Sequence, residues 1–408
     1  MSKIIYKASE LRRPLKLMLP TSESKKSNYA KKVYVSITEN KDEMGLLLQT
    51  RQVGFMLSLF KGVVQSELQH EEQTFDIVTG TVIVKVDSKE LDCALASFGT
   101  QSVVMELHDD GCISIANEQN SQVVVKGVPS SYTAQDVMAA WADDADIMGA
   151  CSLKVPVDKL ATALMPATKI TAMPGNNSDM KGVHLHMHRD EHTRQHTLQV
   201  VGAHTQAMFV DEIPLGDTAD DVRPISCTIM PDAASRLREA LLSEIDHVEE
   251  GGGLQSVMMM ETADGELGVY CGDWAMQLNL QEICRADCTE RLGMPGKNVF
   301  EMDRVRLMQA LAGLKLMGES EAYLSFADSE VVIEGESQAH KGERTMVVAC
   351  QRYGAGEELT RHKYPISPLV TMLSAACAAQ NNKTVKLMTD ADDKTVCVQC
   401  EEFNVFVV

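Results

Sequence analysis

The sequence predicts an α+β protein in which single amphipathic helices lie on antiparallel sheets, with one order of elements run three times. Three observations lead there. Period-two, strand-like blocks outnumber helical ones. Helical patterns stand singly between runs of strands, unlike the one-for-one alternation of a parallel α/β fold. Six such patterns fall two to each third of the 408 residues, and repetition on that scale outweighs any single motif.

The first helix covers residues 9–18, with Ser9 as N-cap and Leu11, Leu15 and Met18 on one face. Pro14 kinks it or marks its first turn. A basic polar loop at residues 22–32 holds Lys25, Lys26, Lys31 and Lys32, and strands VYVSI, GLLLQT, GFMLSLFKGVV and TGTVIVKV follow. A second helix, capped near Asp87 or Ser88, aligns Leu91, Leu95 and Phe98 and stops at Gly99. Strands SVVMELH and SQVVVKG lead to an acidic connector at residues 132–149, the first expected boundary.

The second round opens with VPVDKLATALMPATKI, a helix with Leu160 and Leu164 on one face and Pro166 limiting its length. In the hairpin that follows, Val183, Leu185 and Met187 alternate with His184, His186 and His188. After the turn RDEHTRQH, Leu198, Val200 and Gly202 continue the alternation, and MFVDEIPL forms a third strand. A helix from Pro231 turns Leu237, Ala240, Leu241 and Ile245 inward, and SVMMME, LGVYCG and AMQLNL complete the round. Clustered Gly and Pro at residues 291–298 mark the second boundary. The third round begins with a helix at residues 302–316 whose Val305, Met308 and Leu311 face the core. Strands AYLSFA, VVIEG and TMVVACQRY, a helix at residues 367–379, and strands TVKLMT, TVCVQC and FNVFVV complete it. The expected domains are residues 1–149, 150–297 and 298–408.

Aromatics are 5% of the chain and Met numbers 24, so the cores are aliphatic and methionine-rich. The formal net charge of −20, taken alone, argues against nucleic acid as a partner. The charge is uneven, however: the six helical spans sum to a net positive value, so strands and loops carry more than the whole deficit. Such a chain presents one sign to a polyanion and repels it elsewhere, unless the pattern is ordinary scatter over solvated helix faces. Eleven Cys form no framework, and no signal peptide or long apolar stretch occurs, which predicts a soluble cytoplasmic protein in a reducing compartment.

Several stretches carry a likeness to a known family: SELRRPL and TGTVIVKVDSKELDCAL in the first round, KGVHLHM with LQVVGAHTQAMFVDEIPL in the second, and YPISPLVTMLSAA, VKLMTD and FNVFVV in the third. Their order and spacing resemble the bacterial-type β sliding clamp of DNA polymerase III across all three rounds. Two departures mark a divergent member, of the kind a phage or mobile element encodes. The turn Gly202-Ala203-His204-Thr205-Gln206-Ala207-Met208 lacks the family's Asp, His and Arg, and the chain ends Val405-Phe406-Val407-Val408 where the family has Met-Pro-Met-Arg-Leu.

The resemblance implies three tandem clamp-type domains, each with two helices on antiparallel sheets, closing into a ring as a head-to-tail homodimer. It implies a processivity factor that encircles double-stranded DNA and tethers DNA polymerase, clamp loader and other proteins bearing a clamp-binding motif. No catalytic residue, cofactor, metal or membrane contact is expected, and the location is cytoplasmic and nucleoid-associated, or the host cytoplasm if phage encoded. Arg13 and Lys25 fall where the family has basic residues near the DNA backbone; Arg12, Lys16 and Lys26 join them on charge alone, with a merely solvated basic patch as the alternative. Met180, Met208, Pro295 and Phe406 fall at the family's partner-peptide pocket, unless they are plain core residues. Val123 and Val125 are expected opposite Leu316 and Met317 of the other subunit. The alternative function is a clamp-fold structural or interaction protein that does not encircle DNA.

Other constellations are weaker. His184, His186 and His188, with His192 and His196 nearby, permit a metal site, but alternating His on a solvent-facing strand is the simpler account. Cys397 and Cys400 point to opposite faces of a strand, and Cys284 and Cys288 lack partner ligands. No phosphate-loop or nucleophile-elbow motif occurs.

Overall fold

A computed structural model describes residues 2–20, 31–40, 43–62, 82–130, 153–176, 180–189, 195–215, 224–249, 256–261, 265–271, 274–281, 298–336, 343–353, 361–376, 383–389, 396–400 and 403–407. Both expected domain boundaries, and Lys25, Lys26 and Pro295, lie outside them.

One sequence of elements, strand, helix, four strands, helix, three strands, occurs three times. The first round is β1 (Ser2–Lys7), α1 (Ala8–Leu17), β2 (Lys32–Asn40), β3 (Glu43–Gln52), β4 (Phe55–Gly62), β5 (Ile83–Asp87), α2 (Ser88–Ala96), β6 (Ser102–Leu107), β7 (Cys112–Asn117) and β8 (Gln122–Lys126), followed by a short β9 (Val128–Pro129). The second is β10 (Leu153–Pro156), α3 (Val157–Thr171), β11 (Val183–Arg189), β12 (His196–His204), β13 (Ala207–Pro214), β14 (Ser226–Ile229), α4 (Pro231–Glu249), β15 (Ser256–Glu261), β16 (Glu266–Cys271) and β17 (Trp274–Asn279). The third is β18 (Asn298–Asp303), α5 (Arg304–Leu316), β19 (Glu321–Phe326), β20 (Glu330–Glu336), β21 (Glu343–Tyr353), β22 (His362–Pro365), α6 (Ile366–Ala376), β23 (Thr384–Thr389), β24 (Val396–Cys400) and β25 (Phe403–Val407).

The chain packs into two compact units. The first comprises Met1–Val157, Thr218–Arg223 and Glu239–Leu280; the second Asp158–Asp217, Pro224–Arg238 and Gln281–Val408. The first unit holds a four-stranded sheet, β1-β6-β7-β8, and a nine-stranded one, β10-β15-β16-β17-β4-β3-β2-β5-β9. The second holds twelve strands, β14-β11-β12-β13-β25-β24-β23-β18-β21-β20-β19-β22. Each round thus contributes two four-stranded motifs of fixed order, one built on its first and last three strands and one on the four between its helices.

Motifs of successive rounds join at their edges, in matching register. The first residue of β4, Phe55, stands opposite Leu278, the fifth residue of β17. The first residue of β13, Ala207, stands opposite Val407, the fifth residue of β25. Both pairings are antiparallel, and each supplies the backbone partners that an edge strand lacks.

Helix starts follow local chemistry. Asp87 caps α2, its Oδ1 accepting from the N–H of Lys89 at 3.0 Å and Glu90 at 3.4 Å, and Asp303 caps α5 by accepting from Arg306 N–H at 2.9 Å. Leu11 and Leu15 of the first helix with Met18 just past its end, and Leu91 and Leu95 of the second with Phe98 just past its end, are buried as their spacing predicted.

Several local expectations are corrected. Ser9 is not a cap: α1 begins at Ala8 after Lys7, which makes no side-chain cap, because β1 runs directly into the helix. The opening strands β1, β10 and β18 were not read from the sequence, each running directly into its helix, and Val155, Pro156 and Met302, expected in helices, belong to them. Pro166 does not limit α3, which continues to Thr171. Val305 does not face the core: it is 47% exposed, and Leu307, Ala310, Leu311 and Leu314 are the buried set of α5. Apolar residues lie on both faces of that helix, so periodicity could not choose between them. His184 is buried against Thr228 rather than solvent-facing.

Gly202 on β12 marks a close approach between sheet and helix. A Cβ there would lie 2.4 to 2.8 Å from the O, Cα and C atoms of Ala167 on α3, which are backbone and cannot rotate aside. Gly202→Ala should therefore destabilise the protein by about 1–3 kcal/mol, read as a lower urea midpoint at unchanged slope. An unchanged midpoint would remove that crossing.

Candidate nucleic-acid and partner interfaces

The cations expected at DNA begin on α1. With Leu11, Leu15 and Leu17 turned inward, Arg12 and Arg13 are partly exposed and Lys16 is exposed. Arg12 donates from Nε to Asp92 Oδ1 on α2 at 2.9 Å, and that hydrogen bond raises the guanidinium pKa above its ordinary value. Arg13 donates from Nε to Ser243 Oγ at 2.9 Å and from Nη2 to the Ser243 carbonyl, both on α4, with Asp246 Oδ2 3.4 Å from Nη2. Nothing in the sequence pointed to Asp92, Ser243 or Asp246, since those contacts span 80 to 233 residues.

The residues expected at a subunit junction lie on one edge strand and at one helix end. Among the described residues, β8 pairs with β7 alone, and the 343–349 half of β21 pairs with β20 alone, β18 taking only residues 350–353. On β8 it is Val124, not Val123 or Val125, that reaches solvent most fully, at 53% exposure; Val125 is buried at 4%. Leu316, 90% exposed, and Met317, 41% exposed, end α5.

Of the residues expected at a peptide pocket, Met180, Met208 and Phe406 lie in the second unit, and Pro295 lies outside the described residues. Met208 on β13 is buried and stands opposite Phe406 on β25 across the inter-round junction. Met180 is half-buried in the segment before β11, its carbonyl accepting from Gly182 N–H at 2.9 Å. Two polar residues that sequence reasoning missed hold the surrounding loops. Buried Asn176 donates from Nδ2 to the carbonyls of Thr171 and Ala203, both at 3.0 Å, with Met180 O at 3.4 Å. His204 accepts at Nδ1 from Gln206 N–H at 3.1 Å while Nε2 faces Pro174 O at 3.3 Å, an arrangement met by the Nε2–H tautomer. His204 thus closes the turn at Thr205 and Gln206.

The histidine strand holds ordinary polar contacts. His184 Nδ1 lies 2.6 Å from Thr228 Oγ1, His186 Nδ1 lies 3.2 Å from Ser226 Oγ, and His188 Nε2 lies 3.9 Å from Glu212. Among the described residues no group of three or more His, Cys, Asp or Glu could hold a metal ion, and no helix is long and apolar enough to cross a membrane.

Asn176→Ala should strand the Thr171 and Ala203 carbonyls and cost about 1–3 kcal/mol. The loss should appear in the thermal midpoint and as faster amide exchange over residues 172–182; an unaltered exchange pattern would deny Asn176 its bridging role.

No family model and no curated protein matches the sequence. Solved structures do. The DNA polymerase III subunit beta of Pseudomonas aeruginosa superposes with a TM-score of 0.74 at 12% identity, over 100% of this chain and 99% of that one. The DNA polymerase III beta chain of Streptococcus pneumoniae gives 0.73 at 13% identity, over 100% and 99%. The beta subunit of Thermotoga maritima gives 0.71 at 9%, over 100% and 98%. Likeness of this extent at such identity shows the fold: the whole chain has the α+β architecture of the DNA polymerase III beta sliding clamps.

Proposed function

We propose that this chain, having the sliding-clamp fold from end to end, is a non-enzymatic processivity factor: two copies close head to tail around duplex DNA and tether a DNA polymerase and other motif-bearing proteins. On this reading the three rounds are domains 1–149, 150–297 and 298–408. Lys16, Lys25 and Lys26, with Arg12 and Arg13, belong to the DNA-facing surface, and Met180, Met208, Pro295 and Phe406 to the partner-peptide pocket. The protein works in the cytoplasm, at the nucleoid.

The observation that carries the reading is the repeated edge junction. Two junctions of one kind, β4 with β17 and β13 with β25, share a register, and among the described residues the strands left over by the same rule are β8 and the 343–349 half of β21. An unpaired edge beside an exposed Leu316 and Met317 invites another chain. A junction of β8 with β21 is heterologous, so it closes only if the rotation does, and a two-fold ring then contains it twice. The internal junctions predict its register too. Ala275 faces Ser58 and Asn404 faces Val210, and the equivalent positions in the third junction are Gln122 of one chain and Thr345 of the next. In a closed ring the net charge of −20 is no obstacle, because topological linkage rather than affinity retains the DNA. The second reading, a clamp-fold interaction protein that stays off DNA, is favoured by the protein partners that Arg12 and Arg13 already hold.

Directly opposed residues in an antiparallel pair have Cα atoms roughly 4.5–5.5 Å apart, within reach of a disulfide. Gln122→Cys combined with Thr345→Cys should give a covalent dimer under mild oxidation, and neither single variant should. Leu316→Asp with Met317→Asp should leave folded monomers of 44.8 kDa where the parent sediments at twice that mass. A parent that stays monomeric at micromolar concentration would overturn the ring.

Encirclement has its own test. Protein loaded on nicked circular DNA should be retained until the circle is linearised and then released; retention that survives linearisation, or no retention at all, favours the second reading.

A further inference from the structure

Helix α1 meets a carboxylate on each of two neighbouring helices. Arg12 takes Asp92 of α2 at 2.9 Å, and Arg13 takes Ser243 of α4 through two nitrogens and approaches Asp246 of the same helix at 3.4 Å. A further α4 carboxylate, Glu244, accepts from the Trp274 indole N–H at 3.1 Å, and on α1 itself Glu10 lies 3.7 Å from Lys7. Glu10, Asp92, Glu244 and Asp246 thus each lie near a donor of the protein itself, and the arginine forks that would grip a phosphate are directed at protein oxygens.

We propose that Arg12 and Arg13 act as charge masks rather than phosphate ligands: each neutralises a carboxylate of a neighbouring helix, so that the helix face of a strongly acidic chain tolerates duplex DNA. The inference rests on the proposed function, which puts α1, with Arg12 and Arg13, on the DNA-facing surface. Left unpaired, Asp92 and Asp246 would add two negative charges to that face, and Asp246 is well exposed to whatever approaches, its side chain 73% accessible. A ring that holds DNA by linkage needs a face that does not repel, and two internal ion pairs supply that without a cation offered to the backbone.

The test is a pair of charge-neutral double substitutions, read in the full-length protein by the salt dependence of its association with a short fluorescent duplex. Arg13→Gln alone should weaken association about two- to fivefold by exposing Asp246. Arg13→Gln with Asp246→Asn should restore the parental affinity and salt slope. Arg12→Gln should behave alike, and Arg12→Gln with Asp92→Asn should be its rescue, an independent arm should the first double variant fold poorly. If the double variants stay as weak as the single ones and their salt slopes fall by about one per arginine, the arginines contact phosphate and the mask is refuted. Single variants indistinguishable from the parent would equally refute it. Retention of the parent on nicked circles is measured beside these, so failure of the clamp reading is seen separately from failure of the mask.

Discussion

The structure depends on the unpaired edge of a β-sheet. Every round builds two four-stranded motifs, and each motif ends in a strand whose outward N–H and C=O groups need partners. Within the chain that need is met by the neighbouring round, β17 against β4 and β25 against β13, in one register. Repetition therefore does more than triple a unit. It makes each edge complementary to the next and, among the described residues, leaves β8 and the 343–349 half of β21 without such a junction, the remainder on which the proposed ring rests.

Packing behind the junctions is aliphatic and close. Gly202 lets β12 lie against the backbone of α3 at Ala167, and the same strand leads into the turn that His204 and Asn176 brace. The chain holds this loop with an imidazole acceptor and an amide donor, each bonded to main-chain groups. Met208 lies beside that turn, fixed from one side by β12 and from the other by β25.

Electrostatics work on a second scale. A net charge of −20 opposes binding of a polyanion by affinity, yet the helices carry more than their share of the cations. Those cations are engaged locally: α1 offers its two arginines to acids on α2 and α4, and the Arg13 contacts also tie the first round to the second half of α4.

The sequence by itself determined the fold class, the threefold order and most strands, because alternation at period two and spacing at 3.6 are local signals that hydrophobic burial imposes on every element. It also placed Leu11, Leu91 and Leu185 in the core. Tertiary structure decided what local pattern leaves open. The face of α5 that turns inward was undetermined because both faces are apolar, and only packing on the sheet separated Leu307 from Val305. The inward valine of β8 is Val125 and the outward one Val124, a choice made by pairing with β7. The partners of Arg12 and Arg13 were equally hidden, since an ion pair between helices 80 or more residues apart exists only once the sheets have brought those helices side by side.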